Sequence, residues 1–162
     1  MPTPVKVPSG DNRLMWVSRR TDYATRALLA LALDGGRPIK LEELARRTGA
    51  PQSVLEQVMP VMRSAGIVRS ERGPAGGYRL NKLPEEITLE RVVRLFQGQL
   101  APIGYATRRN PDPTPKFVAD SLRPAWSEVR DATIGILERT TFADLARDAG
   151  GRWRDDSSGV VP

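Results

Sequence analysis

Between Thr21 and Leu80 the apolar residues fall into three short helical registers and then into two brief extended runs. The first register, Thr21 to Leu33, carries Tyr23, Ala27, Leu28 and Leu31 on one side. Thr21 is placed to cap it, and Asp34-Gly35-Gly36 stops it. The second, Leu41 to Thr48, turns Leu41, Leu44 and Ala45 inward and ends at Gly49. The third starts at Pro51, whose missing N–H is harmless in a first helical turn, and runs to Ala65. Its buried stripe is Val54, Leu55, Val58 and Met62, which leaves Gln52, Ser53, Glu56 and Gln57 pointing outward. Pro60 lies inside this helix, where it removes a backbone donor and crowds an earlier carbonyl, so a kink or a register change is expected there.

Behind these helices, Ile67 to Ser70 and Gly77 to Leu80 read as strands around the turn Gly73-Pro74-Ala75-Gly76. The glycines open backbone conformations closed to other residues and let the loop approach a phosphate backbone, with Arg72 and Arg79 beside it. Alone this is also what an ordinary surface hairpin looks like. Directly behind a helix–turn–helix pattern it reads as a DNA-binding wing.

The C-terminal half offers one long helix, from about Lys116 to Arg139, on which Leu122, Trp126, Val129, Thr133 and Ile136 alternate in steps of four and three. Such a stripe needs a partner: a second copy of the chain, or the winged domain of its own chain, with Trp126 nearer the domain core in either case. Thr141-Phe-Ala-Asp144 resembles a capping box opening a short helix through Ala149 that pads the dimer. The expected organisation is therefore a loose tail at 1–15, a winged helix–turn–helix domain at 16–98 and a connecting loop at 99–115. A dimerisation helix with a short terminal helix fills 116–149, and a polar tail follows at 150–162. The fold class is mostly α with a small β-hairpin wing.

Charge sharpens this picture. Residues 13–80 hold twelve Lys and Arg against six Asp and Glu, whereas residues 81–162 are balanced, so the whole net charge of +6 belongs to the helix–turn–helix and wing. A basic surface confined to one module attracts a phosphate polymer and releases its counterions. The chain has no Cys and no His, which removes thiolate and imidazole ligands, thiol redox switching and the commonest catalytic bases and nucleophiles. An enzyme is not expected, nor a transition-metal site. No apolar run is long enough for a membrane span, and the N-terminal stretch lacks the apolar region of a signal peptide, so a cytoplasmic protein without membrane contact is expected.

Four strings make the resemblance specific: SRRTDYATRALLALAL at Ser18–Leu33, PQSVLEQV at Pro51–Val58, RSERGPAGGYRL at Arg69–Leu80 and EEITLERVVRLFQG at Glu85–Gly98. Together with LRPAWSEVRDATIGILERTTFADL at Leu122–Leu145 they resemble the Rrf-two family of winged-helix regulators, whose members include iron–sulfur cluster regulators, nitric-oxide sensors and a cysteine-metabolism repressor. The resemblance implies that Ser53, Glu56 and Gln57 face the major groove and that Arg72, with Gly73 and Pro74, enters the minor groove. The chemistry suits these roles: Gln pairs with adenine or a phosphate, Glu accepts from the cytosine amino group, and Arg favours a narrow minor groove. Pro51 and Gln52 border the same turn of helix, and Arg19, Arg20 and Arg26 are candidate backbone contacts. Leu122, Val129, Thr133 and Ile136 are the expected dimer interface.

The departure from the family concerns the sensor. Cluster-bearing relatives place three cysteines before the long helix; by the Leu-Arg-Pro-x-Trp landmark the last falls at Asp120 and the others within Gly104–Thr114, and none of these positions is Cys. Asp22 matches a carboxylate ligand of nitric-oxide sensors, yet a carboxylate without thiolates does not hold a soft cluster. No cofactor is expected. Tyr105, Arg108 and Arg109, with Phe117 and Trp126 near the junction, are the candidate residues for a small-molecule or protein effector at the 98–115 loop. The expected function is a homodimeric regulator, a repressor, on a palindromic stretch of double-stranded DNA. The alternative is a winged module that binds protein instead.

Overall fold

The computed structural model describes residues 17–98 and 115–157 of the 162-residue chain, the last seven as backbone only. Its elements are α1 (Arg19–Leu33), α2 (Leu41–Thr48), α3 (Gln52–Ser64), β1 (Val68–Glu71), β2 (Gly77–Leu80), a single 3-10 turn (Pro84–Glu86), α4 (Leu89–Gln97), α5 (Lys116–Arg139) and α6 (Phe142–Ser157). The mostly helical fold with one hairpin is the class expected from the apolar pattern.

Local chemistry sets the boundaries. Ser18, not Thr21, caps α1: its hydroxyl accepts from the Thr21 backbone N–H at 3.2 Å. Thr21 is fully buried one turn inside the helix, which a capping residue with extended backbone is not. Gly49 ends α2 at φ 65°, a left-handed conformation that glycine adopts without strain. Helix α3 runs through Pro60 without a change of register, so Met59 and Met62 on either side are both fully buried. The acceptor robbed of its donor by Pro60 is the carbonyl of Glu56, an exposed residue whose backbone water can serve.

The hairpin is antiparallel, with Val68 opposite Leu80 and Glu71 opposite Gly77. A third extended segment joins it: Ile39 and Tyr78 exchange two backbone hydrogen bonds of 2.8 Å, which fastens the wing to the start of α2. Gly77 is obligatory at this seam, because a Cβ there would collide with the Ile39 carbonyl group.

Leu28, Leu31, Ile39, Leu44, Leu55, Val58, Met62 and Ile67 form one buried cluster, completed by Ile87 and Val92 at the start of α4 and by Phe142 at the start of α6. Each fully buried aliphatic or aromatic side chain of this size contributes about 1.5–3 kcal/mol. The corner between α5 and α6 is held to the winged domain by Leu89 N–H donating to the Thr140 carbonyl (3.0 Å) and Phe142 N–H donating to the Ile87 carbonyl (2.9 Å). The capping box forms, with Asp144 N–H donating to Thr141 Oγ1 and Thr141 N–H donating to Asp144 Oδ2, each at 3.1 Å.

Two expectations are corrected here, the end of α6 and the place of Trp126. Helix α6 does not stop at Ala149 but continues to Ser157, so the segment from 150 is helical for its first residues instead of a loose tail. Its N-terminal part packs on α1 and the 3-10 turn of its own chain, with Phe142 in the winged core. Trp126 is 37% exposed and stands with Leu122, Val129 and Ile136 on the open side of α5, away from the core.

Candidate nucleic-acid interface

Helix α3 buries Leu55, Val58, Met59 and Met62, and that burial turns Gln52, Ser53, Glu56 and Gln57 to the surface together with Pro51. Gln52 Nε2 donates to Glu56 Oε1 at 3.1 Å, an intrahelical pair one turn apart that orients the carboxylate along the exposed face. The far end of α3 is anchored by residues that no sequence motif pointed to. Arg91 of α4 donates to the Ala65 carbonyl (3.2 Å), Asn81 Nδ2 to the Gly66 carbonyl (3.2 Å), and Arg63 to Ser70 Oγ on β1 (3.3 Å). The helix is thereby tied to both the wing and α4, which fixes where its outward face points.

At the wing tip Gly76 N–H donates to the Gly73 carbonyl at 2.9 Å, closing the turn with Gly73 at φ 105°. Arg72, Gly73 and Pro74 are exposed, and the Arg72 guanidinium has no ion pair or hydrogen bond among the described residues. The structure thus places the polar face of α3 and an uncommitted arginine on one rigid module.

The helix α1 candidates separate. Arg19 and Arg20 are exposed in its first turn. Arg26 is exposed as well but engaged within its own fold: it pairs with Asp22 at 2.7 Å, lies 5.4 Å from the centre of the Tyr23 ring and donates to the Thr48 carbonyl at the end of α2. On the far end of α1, Asp34 receives Arg37 (2.6 Å) and Arg47 (2.7 Å), and Glu43 joins the same two arginines. Burial alone would raise the Asp34 pKa, but hydrogen bonds and charge from Arg37 and Arg47 outweigh it and hold the carboxyl below its usual range.

Leu122, Val129 and Ile136 are 43%, 44% and 50% exposed, an apolar line on the outer side of α5, with Thr133 half-buried within it. Of the effector candidates, Tyr105, Arg108 and Arg109 lie outside the described residues, and Phe117 is exposed at the first turn of α5.

A family model, Rrf2, described as an iron-dependent transcriptional regulator, matches residues 17–148. The chain belongs to the Rrf2 family. It is 31% identical over 136 residues to an rrf2-like HTH-type transcriptional regulator of Rhodobacter capsulatus, covering 80% of this chain and 91% of that protein. It is likewise 31% identical over 133 residues to the HTH-type transcriptional regulator CymR of Bacillus subtilis, covering 82% and 90%. Among solved structures, that of CymR, the global cysteine regulator of B. subtilis, superposes with a TM-score of 0.68 at 29% identity over 81% of this chain and 95% of that one. IscR of T. potens gives 0.64 at 32% identity, over 82% and 87%. This Rrf2 protein is accordingly a winged-helix, DNA-binding transcriptional regulator, as its relatives are, and not an enzyme.

Its residues do not fit the cluster that the resemblance implies for part of the family. The chain has neither Cys nor His. The two carboxylates at matching positions are committed to cations, Asp22 to Arg26 and Asp120 to Lys116 and Arg123. Among the described residues no group of three or more acidic side chains is placed to hold a metal ion, and no helix is long and apolar enough to cross a membrane.

Proposed function

We propose that this Rrf2 protein is a sequence-specific repressor that binds a roughly palindromic operator as a homodimer and does so without an iron–sulfur cluster. The observation that carries the reading is the exposed set Gln52, Ser53, Glu56 and Gln57 on a helix whose opposite side is fully buried, with Arg72 uncommitted on the adjoining wing. In this reading Glu56 and Gln57 meet base edges in the major groove, Ser53 and Gln52 hold the first turn of α3 against a phosphate, and Arg72 enters the flanking minor groove with Gly73 and Pro74 close to the backbone. Arg19 and Arg20 add phosphate contacts, whereas Arg26 braces α1 against α2.

Dimerisation follows from the line Leu122, Val129, Ile136, with Trp126 and Thr133 between them. An apolar line of this length on one exposed helix face is covered most simply by its own symmetry copy. A two-fold dimer presents two copies of α3 about one turn of DNA apart, which imposes the palindrome. Repression follows when the dimer and the polymerase compete for one promoter segment. The outward positions of α3 are polar and charged throughout, which favours DNA over an apolar protein partner at this surface.

The test is selection of bound sequences from a random duplex pool by the purified protein, paired with sedimentation of the free protein. Enrichment of an inverted repeat by a dimeric species is the expected result. A monomer that enriches nothing would overturn the proposal.

A further inference from the structure

The outer face of the wing carries a charge arrangement that the hairpin itself does not need. Strand alternation puts Val68, Ser70, Tyr78 and Leu80 on the side toward the domain and Arg69, Glu71 and Arg79 on the other. Arg69 and Arg79 are direct cross-strand partners, a like-charge pairing that destabilises a hairpin. One carboxylate oxygen serves both: Glu71 Oε1 lies 2.5 Å from Arg79 Nη2 and 3.8 Å from Arg69 Nε. Arg79 Nε is buried and donates to no group among the described residues. Two guanidiniums, carrying ten N–H donors in all by their chemistry, thus share a single carboxylate as counter-ion. The bridge between Ile39 and Tyr78 extends this face by one more cation, because the next residue, Lys40, is exposed, falls on the Arg79 side of the ribbon and has no carboxylate partner among the described residues. Lys40 also occupies the N-cap of α2, where its side chain makes no capping bond and its charge opposes the helix dipole. A local choice this unfavourable, beside an arginine pair short of acceptors, marks a surface built for an anion outside the chain.

We propose that Arg69, Arg79 and Lys40 form a second DNA contact, which grips backbone phosphates along the groove that Arg72 enters, with Glu71 as the internal counter-ion that the two arginines leave on binding. The proposal rests on the DNA-binding reading above and adds to it a sequence-independent contact. A phosphodiester is the occupant this face fits. Glu71 is one carboxylate shared by two guanidiniums, whereas a phosphodiester recurs along the strand at a spacing that lets neighbouring cations each find a phosphate, and Arg72 on the same strand end fixes the distance to the duplex. The wing then holds DNA by its tip and by its outer face, and Glu71 lowers the affinity for nucleic acid at large by keeping the arginines satisfied when no duplex is present.

The experiment titrates the full-length protein against its selected operator and against a scrambled duplex by fluorescence anisotropy, from about 50 to about 200 mM salt. Arg69→Gln with Arg79→Gln should weaken binding to both duplexes by the same factor. It should also flatten the plot of log affinity against log salt by about 0.9 for each phosphate that is no longer neutralised, with operator preference unchanged. Glu71→Gln, which leaves all three cations in place, should tighten binding to both duplexes severalfold and keeps the test alive should the double variant fold poorly. An unchanged salt slope in a folded double variant, a selective loss of operator preference, or weaker binding by Glu71→Gln would overturn the outer-face contact while leaving the DNA-binding reading intact. Failure of the wild-type chain to bind either duplex would overturn both.

Discussion

At the scale of single residues, Glu56 and Arg72 are expected to do opposite kinds of work in the proposed DNA complex. A carboxylate facing DNA meets phosphate repulsion everywhere and is tolerated only where a base edge donates to it, so Glu56 should act chiefly by excluding wrong bases. Its orientation is already set by Gln52, which donates to it at 3.1 Å. Glu56→Ala is expected to reduce discrimination at one base position of each half-site by about 1–3 kcal/mol while overall affinity changes little, read by competition with single-base operator variants. Arg72, exposed and uncommitted, should act through shape. Arg72→Ala is expected to cost about tenfold or more in affinity on operators with narrow, A·T-rich flanks and much less on G·C-rich flanks. Equal losses on both would remove the wing tip from the groove. These residue types and their outward positions were legible in the sequence, because the buried stripe of α3 fixes the opposite face by simple periodicity. The partners of Arg26 were not: a ring, a carboxylate and a carbonyl at the end of another helix come together only in the folded chain.

At the scale of elements, the helix–turn–helix is held by charge as well as by packing. Asp34 at the end of α1 receives Arg37 and Arg47, the latter reaching across from α2. Its folded pKa lies below the ordinary value of 3.8, so the ionised form is favoured by folding. The stabilisation is therefore fully present from about pH 5 upward and is lost as the pH falls past the ordinary value and through the folded one. Asp34→Asn is expected to lower stability at neutral pH and to make the acid loss of stability shallower, measured by urea unfolding at neutral and acid pH. Equal offsets at every pH would mean that Asp34 acts without its charge. Element boundaries at α2 and α5 follow directly from Gly49 and from the long apolar stripe. Helix α4 drew no expectation of its own, although Leu89, Val92, Val93 and Phe96 repeat at helical spacing behind the cap Thr88. Thr21 was the wrong cap because a local pattern does not reveal that its side chain is wanted in the core.

On the scale of the whole molecule, the long helix leaves the winged domain and its successor returns to it. Phe142, fully buried at the start of α6, completes a core that is otherwise built between α1 and α4. Phe142→Ala is expected to destabilise the protein by about 3–5 kcal/mol in denaturant unfolding, although it lies far along the chain from the helix–turn–helix. A loss under about 1 kcal/mol would show that α6 is a dispensable appendage. Ile136, half exposed on α5, predicts the reverse. Ile136→Glu should leave the fold of the single chain intact, with an unchanged far-ultraviolet circular dichroism spectrum. The same substitution should weaken self-association more than about tenfold by sedimentation. Dimerisation unaffected by this charge would exclude the outer face of α5 from the interface.

The sequence by itself determined the helix–turn–helix registers, the wing turn, the long helix and the absence of thiolate and imidazole ligands, because each is written in local spacing or in composition. Only the tertiary structure decided that Ile39 bridges to Tyr78 of the wing, that Arg91 and Asn81 hold the end of α3, that Trp126 stays outside the core and that α6 folds back onto α1. Periodicity specifies which side of an element is apolar. It does not specify which other element covers that side, since burial is non-directional and any apolar face of suitable shape satisfies it. That choice is made by backbone hydrogen bonds between distant residues, such as those joining Ile87 to Phe142 and Leu89 to Thr140.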